Sequence, residues 1–92
     1  MDKLHNKHMD RLFEAVLTLE TIDDCYAFFD DLCTISELKA MSQRFQVAEM
    51  LNRKSVYSDI VKTTGASTAT ISRVNRCLHY GSDGYKRVLE RL

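Results

Sequence analysis

Apolar residues recur along this chain at spacings of three and four, broken at intervals by short polar stretches, and that pattern predicts a succession of helices. The first, from residue 3 to about residue 20, carries Leu4, Leu12, Phe13, Val16, Leu17 and Leu19 on a wide stripe. Thr21 with Asp24 makes a capping-box-like start for a second helix bearing Ile22, Cys25, Phe28, Phe29 and Leu32. Thr34 with Glu37 repeats the device and opens a longer helix with Leu38, Met41, Phe45, Ala48 and Leu51 on one face. Two short helices hinged at Gly65 follow within residues 57–78. After a turn over residues 80–84, Ser82 or Asp83 can cap a last helix with Tyr85, Val88, Leu89 and Leu92. The pattern therefore predicts one all-α domain of about six helices.

The hinged pair, YSDIVKTTGASTATISRVNRCL, reads as a helix-turn-helix. Ile60 and Val61 give its first helix an apolar face, and Gly65 stands where the chain needs a positive φ to turn sharply. Ser67 or Thr68 can accept a hydrogen bond from the free N–H groups that begin the next helix. Ile71, Val74 and Leu78 then mark a core face, leaving Thr68, Ala69, Ser72, Arg73, Asn75 and Arg76 on the others. Small polar residues on a first turn, with arginines behind them, suit a helix that approaches base edges while gripping phosphates. The candidate DNA-binding residues are thus Ser58, Lys62, Ser67, Thr68, Ala69, Ser72, Arg73 and Arg76. Lys62 and Arg76 are assigned to phosphates, and Thr68, Ala69 and Ser72 to bases. Val61 and Thr68 depart from the usual motif, which favours a smaller and an apolar residue at those positions.

Charge separates along the chain. Residues 1–52 hold five Lys or Arg against ten Asp or Glu, and residues 53–92 hold eight against three, although the formal net charge is zero. The basic half contains the helix-turn-helix, which is the electrostatic footprint a polyanionic partner requires. A helical module that docks on a protein partner, with its basic face merely solvated, is the alternative.

Ninety-two residues suffice for one domain but bury a limited share of the chain's surface, so self-association would help it. The longest apolar run, residues 25–29, is too short to span a bilayer, and a cytoplasmic protein with no membrane partner is expected. Cys25, Cys33 and Cys77 are widely spaced among apolar neighbours and are read as reduced, buried thiols. No metal site or cofactor is expected. An enzyme is not expected either, for want of paired carboxylates, a nucleophile with its base, or a phosphate-binding glycine loop.

From residue 32 to residue 92 the chain resembles the Trp repressor family, through LCTISELKAMSQRFQVAEML, KTTGASTATISR and a final helix. The motif GA-x-x-ATI-[ST]-R is carried here by Gly65, Ala66, Ala69, Thr70, Ile71, Ser72 and Arg73. With FFDDLCT before it and RCLHYG after it, the whole chain resembles the Trp repressor-related proteins of the YerC/YecD type. The resemblance implies an intertwined, all-helical homodimer that regulates transcription by binding double-stranded DNA. A dimer would place two such helices in successive major grooves, so a palindromic operator is expected, and the regulator is expected to be a repressor. Residues 1–33 would be its dimerisation helices, 57–78 the helix-turn-helix and 82–92 the C-terminal helix.

In Trp repressors a tryptophan corepressor sits between two arginines, with one threonine at the pocket and another beneath it. Arg44, Arg73, Thr34 and Thr70 match those positions. The family's glycine after the motif arginine is Val74 here, and a serine that holds the ligand's amino group is Cys77. The connection before the motif is also one residue shorter. The resemblance therefore implies a candidate pocket of Thr34, Arg44, Thr70, Arg73, Val74 and Cys77 suited to a small carboxylate. Tryptophan is not expected to bind tightly, since forcing its ring against a stiff β-branched side chain costs about 1–3 kcal/mol.

Overall fold

A computed structural model of the protein describes residues 2–92. A 3-10 turn, Asp2–Leu4, precedes six helices: α1 Lys7–Val16, α2 Ile22–Leu32, α3 Ile35–Asn52, α4 Tyr57–Thr64, α5 Thr68–Tyr80 and α6 Gly84–Arg91. No described residue lies in a strand, so the all-α expectation holds.

Local chemistry sets most of the boundaries. The first predicted helix is interrupted because Asn6 adopts extended backbone and its Oδ1 accepts from Met9 N at 2.8 Å. An asparagine in that role starts a helix rather than continuing one, so α1 begins at Lys7, and Leu17 and Leu19 fall beyond its end. Thr21 caps α2 as its sequence predicts: its Oγ1 accepts from Asp24 N at 3.0 Å, while Asp24 Oδ2 accepts from Glu20 N at 3.1 Å. At the far end, Asp83 holds the position before α6 with φ 64° and makes no capping hydrogen bond through its side chain. Of the two cap candidates, Ser82 and Asp83, Asp83 takes the position but its side chain does not form the cap.

The chain divides into two compact units, one ending at Ile35 and the other Ser36–Leu92. In the first unit, no residue from 3 to 35 is buried, and Leu17, Ile22 and Tyr26 are 84%, 75% and 75% exposed. The second unit contains the core, where Val47, Ala48 and Met50 of α3 join Ile60, Ala66, Ile71 and Val74, with Leu51 and Tyr85 packed against them.

This core corrects three sequence-based expectations. On α3 the buried residues are Val47, Ala48 and Met50, whereas Leu38 and Phe45 are half-buried and Met41 is exposed. Apolar residues lie on more than one side of α3, and the core covers one side over its last turns. On α4, Ile60 is fully buried but its neighbour Val61 is exposed, being about 100° further round the helix. The cysteines are free and none is buried: Cys25 and Cys77 are exposed and Cys33 is half-buried.

Candidate nucleic-acid interface

The reading head is built from a turn whose polar groups are accounted for in detail. Gly65 ends α4 with φ 72° and ψ 5°, its N–H bonded to Val61 O at 2.9 Å. Left-handed backbone of this kind costs glycine little because it has no Cβ. Thr64 Oγ1 donates to Ile60 O at 2.7 Å and accepts from Ala66 N at 3.1 Å. From α3, Gln43 Nε2 donates to Thr64 O at 3.1 Å, which ties the hinge to the long helix. Ala66, 2% exposed, then enters the core and sets the turn's depth.

Ser67 opens α5. Its Oγ accepts from Thr70 N and donates to Thr70 Oγ1, each at 3.1 Å, so its one hydroxyl hydrogen is committed within the cap. Of the two cap candidates, Ser67 takes the role. At 100° per residue, the exposed Thr68, Ala69, Ser72, Arg73 and Arg76 occupy an arc of about 140°, and the buried Ile71, Val74 and Leu78 one of about 60° on the other side. The helix is thus anchored by one face and presents the other.

Ser58 and Lys62, one turn apart on α4, are also exposed, as is Ser67. Among the described residues no carboxylate forms an ion pair with Lys62, Arg73 or Arg76; the ion pair seen, between Arg11 and Glu14 at 3.5 Å, lies on α1. These three cations therefore face solvent with their charge uncompensated by contact, which is the arrangement phosphate binding uses.

The residues matched to the corepressor pocket are placed differently from one another. Arg44 and Thr70 are half-buried, Arg73 and Cys77 are exposed, and Thr34 is exposed in the first unit. Val74, 1% exposed, belongs to the core shared by Val47, Ile60 and Ile71. Its spacing with Ile71 and Leu78 predicts that core position. An apolar cavity of about 580 Å³ lies between α3, α5 and α6, lined by Phe45, Cys77, Gly81, Ser82, Gly84, Tyr85 and Val88. Cys77 is the one member of the matched set that reaches it. Among the described residues no three His, Cys, Asp or Glu side chains converge as metal ligands, and no helix is long and apolar enough to cross a membrane.

Gln43 was invisible to sequence reasoning. Apolar spacing marks core positions, and nothing local to Gln43 signals an acceptor twenty-one residues away.

The sequence pattern of the Trp repressor protein family matches residues 7–92. This chain belongs to the Trp repressor family. It is 52% identical over 92 residues, all of this chain and 88% of the relative, to YerC, an uncharacterized protein of Bacillus subtilis (strain 168). Its fold matches the crystal structure of a TrpR-like protein from Eubacterium eligens with a TM-score of 0.95 and 55% identity, over 99% of this chain and 94% of that one. It also matches the structure of a proposed Trp repressor from Staphylococcus aureus with a TM-score of 0.94 and 51% identity, over 98% and 90% of the two chains. The Trp repressor-like fold and its helix-turn-helix point to a DNA-binding transcription regulator rather than an enzyme.

Proposed function

We propose that the protein is a homodimeric, sequence-specific repressor of transcription that places two α5 helices in successive major grooves of a palindromic operator. The observation that carries this reading is the division of α5 into a buried face, Ile71, Val74 and Leu78, and an exposed face of small side chains followed by Arg73 and Arg76. The first face fixes the helix to the core, and the second has the composition and charge to meet a groove and its phosphates. Membership of the Trp repressor family supports the regulatory role.

Dimerisation is supported by the first unit, which carries Phe13, Leu17, Ile22, Tyr26 and Leu32 at half exposure or more and buries none of its residues from 3 to 35. Helices with apolar faces that large are stable when another surface covers them. Residues 1–33 supply dimerisation helices in this reading, residues 57–78 read DNA, and residues 82–92 close the domain. The protein works where the chromosome is, in the cytoplasm of a bacterium. Electrophoretic retention of random genomic DNA at two salt concentrations tests the proposal. Retention at low salt that weakens steeply at high salt is expected. A chain that ignores DNA at low salt is instead a protein-docking module.

A further inference from the structure

The first turn of α5 offers a groove methyl groups and short hydroxyls in place of long polar side chains. Thr68 and Ala69, with Ser72 at the start of the next turn, are its exposed residues; of the two other small hydroxyls beside them, Ser67 donates to Thr70 Oγ1 within the cap and Thr70 is half-buried. Arg73 and Arg76 enter one and two turns later, about 6–11 Å further along the helix axis than Ala69.

We propose that α5 selects its site through thymine 5-methyl groups, with Ala69 as the specificity-determining contact. The inference rests on the DNA-binding reading above and adds the chemistry of what is read. In the major groove, guanine is read by the forked donors of Arg or by Lys, and adenine by Asn or Gln acting bidentately. None of those residue types occupies the first turn of α5, whose N-terminal end is the part of such a helix that meets base edges. A Cβ methyl has one way to tell base pairs apart in that groove, which is to pack on the methyl of thymine. Ala69 lies within the exposed arc, between Thr68 and Arg73 in angle, and its small size lets the helix backbone come close. Thr68 and Ser72, four residues apart and therefore stacked on one side of Ala69, add single hydroxyls that set its register.

The test replaces thymine by deoxyuridine, which removes the methyl and leaves base pairing and backbone intact. Duplexes recovered by the full-length protein from a random pool are resynthesised with deoxyuridine at each thymine in turn, and affinities are measured by fluorescence anisotropy. At one thymine in each half-site the substitution is expected to weaken binding about fourfold, the effect of withholding one methyl-sized group from burial. With Ala69→Gly, folded by circular dichroism, the loss at that thymine should shrink to less than twofold. If that variant does not fold, the deoxyuridine series on the natural protein decides alone. Substitutions that all stay within twofold of the thymine duplex, or recovered half-sites without thymine, overturn the inference while leaving DNA binding intact. Failure to retain any DNA at low salt removes the DNA-binding reading itself, and this inference with it.

Discussion

At Gly65 the backbone has φ 72° and an added Cβ would meet nothing within 4 Å. A substitution there is penalised by backbone conformation alone. Gly65→Ala should therefore lower stability by about 1–2 kcal/mol, read by urea denaturation, without changing the packed core. At Gly81 the constraint is different, because a Cβ would collide with the carbonyl of Cys77 and the backbone would have to move. Arg76, exposed on the reading arc, should act as a phosphate contact: Arg76→Ala is expected to weaken binding to all sequences alike and to flatten the salt slope by about one. A changed preference at one base with an unchanged salt slope would move Arg76 from phosphate to base. Residues whose role is local were legible in the sequence. Gly65 and Ser67 sit within four residues of the groups they serve, and their chemistry names the turn and the cap. Gln43 was not legible, because its partner is brought to it by the fold.

At the scale of elements, α5 is anchored by Ile71, which is fully buried, and Ile71→Ala should cost about 2–5 kcal/mol through lost burial and a residual cavity. Thermal unfolding would show the loss, and a change of under 1 kcal/mol would contradict the packing described. The hinge between α4 and α5 followed from Gly65, the Ser67 cap and apolar spacing, because both helices have one apolar face and one polar face; α4 opens at Val56 without a side-chain cap, and α5 runs past Leu78 to Tyr80, into the expected turn. α3 was harder to read for the opposite reason. Its apolar residues are spread around the helix, so the stripe chosen from sequence, with Leu38, Met41 and Phe45, differs from the side that the core covers. Cys25 and Cys77 are exposed for the same reason, since apolar neighbours in sequence do not ensure burial. In the first helix the capping signal of Asn6 prevails over the continuity of the apolar stripe.

For the whole molecule, the uncovered apolar residues of α1 and α2 are the largest departure from what an isolated soluble domain presents. Sedimentation should therefore find the full chain at twice its 10.6 kDa mass. A chain lacking residues 1–20 should dissociate or precipitate. A soluble, stable monomer for both chains would contradict the dimer. The helical content could be read from the apolar spacing, and the family from the GA-x-x-ATI-[ST]-R motif. Val74's place in the core was legible from its spacing with Ile71 and Leu78, whereas the half-burial of Arg44 and Thr70 was not, since it depends on helices far apart in the chain. The central claim, that paired α5 helices read a symmetric site, is tested most directly by selecting bound duplexes from a random DNA pool with the full-length protein. The account predicts enrichment of inverted half-sites about 34 Å, one helical turn, from centre to centre. No enrichment at low salt, or a single asymmetric site bound by a monomer, would contradict it.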